Sequence, residues 1–145
     1  MVTYMNRIIL PVDGLTEINK IAEKALSLAK DMERNVVALY VVDTPRLTDV
    51  IPPNETTVAW ESILAVEAQR ILKEIEKKGK KLGVYVEKKV VKGIPEIEIL
   101  KEAKKPDLIV MGCKSKVIFE RFLTKNVCEQ VLEHSSSSIM TYQIK

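Results

Sequence analysis

Five short Val- and Ile-rich runs alternate with four stretches of helical apolar spacing, and this alternation predicts an α/β fold. The expected architecture is a single doubly wound, Rossmann-like domain: a five-stranded parallel sheet of order 3-2-1-4-5 with helices on both faces. Strand composition supplies the order. The first, second and fourth runs are almost wholly apolar, as strands covered on both faces must be. The third carries Glu87, Lys88 and Lys89 and the fifth carries Ser138, Thr141 and Gln143, which marks both as edges.

The strand runs are Arg7–Val12, Val36–Val42, Val84–Val91, Leu108–Met111 and Ser138–Ile144. In the first helix, Ile18, Ile21, Ala22, Ala25, Leu28, Ala29 and Met32 recur at helical spacing, with Thr16 placed to cap it. The second helix has Trp60, Ile63, Leu64, Ala68, Ile71, Leu72 and Ile75 on its apolar face. The third starts at Pro95, a favoured first helical residue, and carries Ile97, Leu100 and Ala103. The fourth shows Val127, Cys128, Val131 and Leu132, starting near Thr124–Asn126. The segment Asp43–Asn54 holds three prolines and no periodicity. It reads either as a surface connection or as a lid or partner-binding loop.

Composition narrows the function. The 145 residues suffice for one domain, 1–145, with a real core. Hydrophobic residues make up 46% and charged residues 30%, a globular balance. No apolar run approaches the roughly 20 residues of a membrane span, and the N-terminal residues lack a signal-peptide core, so the expectation is a cytoplasmic protein with no membrane partner. The net charge of +3 is spread along the chain, which argues against nucleic acid. Two cysteines, Cys113 and Cys128, are too few for a disulfide framework and lack zinc or CxxC spacing, so no metal site is expected.

In a doubly wound sheet, ligands bind beyond the carboxyl ends of the strands at the switch point, here between the first and fourth strands. Asp13 follows the first strand. It reads as an acceptor for a ligand amine or as a turn acid near Thr16. Gly112 ends the fourth strand, where a missing Cβ lets a ligand approach the backbone. Beyond it, Lys114, Lys116, Arg121 and Lys125 surround a helix N-terminus. This is an anion site or a solvated basic loop.

Five pieces together resemble the universal stress protein family: Ile9–Gly14, Leu39–Asp43, Val90–Leu100, Pro106–Gly112 and Val127–Met140. The resemblance implies the same 3-2-1-4-5 sheet and a homodimer. Many family members bind ATP through a pattern G-x2-G-x9-G-[ST] after the fourth strand. Aligned on Gly112, this chain reads Gly112-x2-Ser115-x9-Lys125-Asn126, so only the first glycine is kept. Glycines in such a loop let phosphate oxygens reach backbone N–H groups. Ser115 and Lys125 add a Cβ, and an αL position costs such a residue about 1 kcal/mol or more. On the adenine side the resemblance keeps Asp13 and the backbone at Val41. The implied cofactor-binding set is therefore Asp13, Val41, Gly112, Ser115, Lys125 and Asn126, with ATP at low affinity or no cofactor.

Other chemistry is sparse. Cys113 borders a basic loop that can activate its thiol, whereas Cys128 lies among apolar residues as a small core group. His134 sits at the end of the fourth helix, where a cation suits the helix dipole. No catalytic residues are assigned. A phosphorelay receiver lacks its acceptor aspartate at Val91–Gly93, and a dehydrogenase lacks its GxGxxG turn at Gly14. The expected function is a stress-associated regulatory or binding module with ATP binding weak or lost and no catalysis of its own. The alternative is an ATP-binding nucleotide switch or slow ATPase. The expected partners are a second copy, paired through the fifth strand, and an unidentified protein.

Overall fold

The structure is a computed structural model, and it describes residues 6–13, 18–45, 55–114 and 127–144. Its elements run β1 (Arg7–Val12), α1 (Ile18–Met32), β2 (Asn35–Asp43), α2 (Glu55–Leu82), β3 (Val86–Gly93), α3 (Pro95–Glu102), β4 (Leu108–Lys114), α4 (Val127–His134) and β5 (Ser138–Ile144). The five strands form one parallel sheet of order β3-β2-β1-β4-β5, as the strand compositions require.

The period of two in the strands divides the core. On one face Ile8, Leu10 and Val12 of β1 join Val36, Ala38, Tyr40 and Val42 of β2 and Val110 of β4 beneath α1 and α2. On the other, Ile9, Val37, Leu39, Ile109 and Met111 meet Ile99 of α3 and Cys128 and Val131 of α4. Both faces of the central strands are thus dry, which explains their unbroken apolar sequence.

Helix α1 buries the predicted positions Ile18, Ile21, Ala22, Ala25 and Ala29, together with Leu26. In α2 the prediction is half corrected. Ala68, Leu72 and Ile75 are buried, but Trp60 and Ile63 are exposed. Ile63 stands half a turn round the helix from Leu72 and Trp60 a third of a turn, so neither falls on the stripe that Leu64, Ala68, Leu72 and Ile75 turn to the core. Ile97 of α3 and Leu132 of α4 are likewise exposed, and Ile99 is the α3 side chain that enters the core.

Two helices end in the same hydrogen-bond pattern. After α2, Gly83 donates to the Lys80 carbonyl (3.2 Å) and Val84 to the Gly79 carbonyl (2.8 Å). This reversal needs a left-handed residue, and Gly83 has φ +75°. After α1, Glu33 donates to Lys30 (3.3 Å) and Arg34 to Ala29 (2.9 Å), with Glu33 at φ 54° in the glycine position.

A charged cluster ties the amino ends of the strands. Arg7 opens β1, and its Nη2 donates to Asp107 Oδ2 at 2.7 Å while Nη1 donates to Glu102 Oε2 at 3.0 Å. Lys89 of β3 donates to the same Glu102 carboxylate at 3.0 Å. The Asp107 carboxylate, only 4% exposed, also accepts the backbone N–H of Lys104 at 2.9 Å. Burial alone would raise the Asp107 pKa. The hydrogen bonds from Arg7 and Lys104, with the guanidinium charge, outweigh it and hold the carboxyl below its ordinary value.

Candidate functional site

The sheet opens at the switch point. β1 pairs with β2 over six residues, from Arg7↔Asn35 to Val12↔Tyr40. It pairs with β4 over only two, Ile8↔Leu108 and Ile9↔Ile109. Beyond Ile9 and Ile109 the two ladders part, while β4 stays paired with β5 as far as Lys114↔Ile144. Pro11 gives the reason. A proline has no N–H for a ladder, and the β1–β2 ladder runs unbroken past it, so the missing donor falls on the β4 side. Pro11 is the sequence signal for the crevice that the reading of strand composition passed over.

Asp13 stands exposed at the end of β1, at this mouth. Tyr40, 8% exposed, lies beneath it on β2. Burial pushes the Tyr40 phenol above its ordinary value, and the carboxylates of Asp13 and then Glu67 on α2 push it further. Glu67 is held in turn by an ion pair with Arg70. Tyr40, Glu67 and Arg70 were not among the predicted site residues, because their spacing along the chain shows no motif. Val41 is half-buried on the opposite face of β2. It lies one residue past the last β1 pair but is still matched with Val91 of β3. Its peptide therefore sits where β2 outruns β1.

On the β4 side, Gly112 is half-buried and level with Tyr142 of β5. The structure thus brings Asp13, Val41 and Gly112 to the carboxyl ends of three adjacent strands. Ser115, Lys125 and Asn126 lie outside the described residues, as do Thr16, Lys116, Arg121 and the segment 46–54. The two cysteines, read separately from their spacing, are joined: Cys113 of β4 and Cys128 of α4 form a disulfide with Cα atoms 5.6 Å apart. The bond ties the first turn of α4 to the carboxyl end of β4. His134, at the far end of α4, donates from Nδ1 to the Gln130 carbonyl at 2.9 Å, a bond that serves the helix end.

The chemistry available here is recognition. The β1 side places the Asp13 carboxylate at the strand end, and the β4 side places Gly112 and the first turn of α4 there. Among the described residues no group of three His, Cys, Asp or Glu side chains is placed to hold a metal ion. No helix among them is long and apolar enough to cross a membrane. A separate open groove of about 420 Å³ lies between α1 and β5, where Lys24 Nζ sits 4.6 Å from the centroid of the Tyr142 ring.

These features define a doubly wound α/β domain whose switch point lies between β1 and β4. Residues 5–143 match the Universal stress protein family, and the chain belongs to that family. It is 32% identical over 136 residues to Universal stress protein MJ0531 of Methanocaldococcus jannaschii, covering 92% of this chain and 79% of that protein. Its fold superposes on the solved structure of MJ0577 with a TM-score of 0.76, 24% identity and 99% of each chain covered. A universal stress protein crystallised in complex with cAMP shares the fold at a TM-score of 0.69 and 16% identity, over 97% of this chain and 98% of that one.

Proposed function

We propose that this member of the universal stress protein family is a stress-associated regulatory or binding module whose switch-point crevice takes an adenine nucleotide weakly or not at all. The observation that carries the reading is the contrast between the two sides of the crevice. On the β1 side, Asp13 and the Val41 backbone stand at the strand ends, where a base would meet a carboxylate and a peptide edge. On the β4 side, glycine is kept only at Gly112, and Ser115, Lys125 and Asn126 replace the rest of the phosphate pattern. The cAMP complex of a relative supports an adenine nucleotide as the ligand class. Calorimetry with MgATP tests the reading. The expected dissociation constant is weaker than about 100 µM, some 5.5 kcal/mol of binding free energy. Micromolar binding would overturn it. The double change Ser115→Gly with Lys125→Gly should raise the affinity, because it restores backbone access to the phosphates.

The same reading includes a homodimer through β5. The two edges of the sheet differ: β3 carries Glu87, Lys88, Lys89 and Lys92, whereas β5 has no charge and no proline. Ser138, Met140, Thr141 and Gln143 are exposed along β5. An uncharged open edge invites antiparallel pairing with its own copy about a two-fold axis. Light scattering should report a dimer, and Thr141→Pro, which puts a proline inside the paired strand, should report a monomer. A wild-type protein that is monomeric at roughly 100 µM, far above the micromolar constants of stable pairs, would refute the dimer.

A further inference from the structure

We propose that Cys113 and Cys128 are a reversible dithiol–disulfide pair that sets how firmly α4 is anchored beside the switch-point crevice. The backbone already fits the bond. A Cα separation of 5.6 Å is in the middle of the disulfide range, so the bond needs no rearrangement of the two segments. The helix it holds is otherwise lightly tied. Of the eight residues of α4 only Cys128 and Val131 are buried, and Leu132 is 51% exposed. A helix of this length has little stability of its own. Access is asymmetric: Cys128 is 3% exposed, whereas Cys113 is only half-buried. A small thiolate therefore attacks the Cys113 sulfur. The bond between the two sulfurs breaks, and its electron pair leaves on Cys128, which takes up a proton. A mixed disulfide remains on Cys113. A second thiolate attacks the external sulfur of that mixed disulfide and releases a small-molecule disulfide, with Cys113 reprotonated. Two thiols are oxidised as the protein disulfide is reduced, and a small-molecule disulfide such as oxidised glutathione drives the reverse.

The pair lies at the mouth of the crevice, next to Gly112, so the state of the bond bears on the side where a phosphate or other anion would sit. The anchoring itself needs no nucleotide, and neither does its test. Wild-type protein is equilibrated in excess reduced or excess oxidised glutathione; one aliquot of each is acid-quenched, denatured and alkylated to count its free thiols, and a second, unalkylated, is followed by hydrogen exchange and mass spectrometry. Both cysteines should be alkylated in the first buffer and neither in the second. Amide exchange in α4 should accelerate on reduction by roughly tenfold to a hundredfold, the upper bound being the loop-closure entropy of a bridge across fifteen residues. Exchange in β1 and β2, which open only with the whole fold, should accelerate less than in α4. Cys113→Ser should behave as the reduced protein in both buffers. The wild-type comparison stands even where that variant fails to fold. Three results would each overturn the proposal: a disulfide that survives excess reduced glutathione in the native protein, thiols that do not pair in the oxidised buffer, or equal α4 exchange in the two states.

Discussion

Replacing Asp107 by asparagine tests what holds the base of the sheet together. The Asp107 carboxylate accepts from the Arg7 backbone N–H and Nε at 3.3 Å each, from Arg7 Nη2 at 2.7 Å and from the Lys104 N–H at 2.9 Å. Asparagine keeps the shape but loses the charge, and one of its terminal atoms becomes a donor. Two of the four bonds then face donor against donor. Removing one partner of a buried pair costs about 3–5 kcal/mol. Arg7 is 26% exposed and keeps Glu102, so the expected loss is smaller, about 2–3 kcal/mol at pH 7. Urea unfolding followed by circular dichroism measures it. The pH dependence gives a second check. Asp107 is held below its ordinary value in the folded protein. Its stabilisation is therefore complete above the unfolded carboxyl value, near pH 4, and is lost as the pH falls through the folded one. Protonated Asp107 resembles asparagine, so the gap between wild type and Asp107→Asn should close in acid. A loss below about 0.5 kcal/mol at pH 7, the level of an ordinary surface change, would refute the argument. So would a gap that does not shrink with acid.

Three further outcomes follow from particular atoms. Gly79→Ala would ordinarily favour a helix by about 1 kcal/mol. Here a Cβ would stand 2.6 Å from Val86 Cγ2 and 2.9 Å from the Val84 carbonyl oxygen, so the protein should lose about 1–3 kcal/mol. A gain in melting temperature would contradict the close approach of α2 to β3. Glu33→Gly should stabilise by about 1 kcal/mol, since Glu33 occupies a left-handed position at φ 54° that glycine adopts freely. Denaturant titration that shows no gain would mean the strain at Glu33 is offset by its side chain. Leu72→Ala, at a position fully enclosed between α2 and the sheet, should cost about 2–5 kcal/mol, and a cost under 1 would show that the site collapses around the cavity.

Strand order was legible because burial and charge act directly on composition. A strand covered on both faces cannot carry Glu87 or Lys89 without a partner, and these two residues fall on β3 at the edge. Helix faces were legible only where the turn of about 100° per residue is followed strictly. Ile63 lies nine residues before Leu72, half a turn round α2 from it, and is exposed, whereas Leu64 falls beside the buried stripe of Ala68, Leu72 and Ile75. The cysteines show the opposite failure. A separation of fifteen matches no local motif, yet it spans one strand end and the first turn of the next helix, which the parallel crossover returns to the same level.

The candidate site follows the same logic, because its position is a property of the sheet and not of any single residue. β1 is bound to β4 by two residue pairs and, just below them, by the salt bridge of Arg7 with Asp107. Above them Pro11 ends the ladder. The two strands are therefore clamped at their amino ends and free to part at their carboxyl ends. Removal of the clamp in Asp107→Asn leaves two residue pairs to hold β1 against β4. Hydrogen exchange should then rise first at the Ile9 amide, which by the alternation of a strand points to the same β4 side as the Arg7 N–H, before it rises at the Ile8 amide of the β1–β2 ladder. Uniform loss of protection across the sheet would instead mean that the cluster supports the whole fold equally and that the crevice does not depend on it.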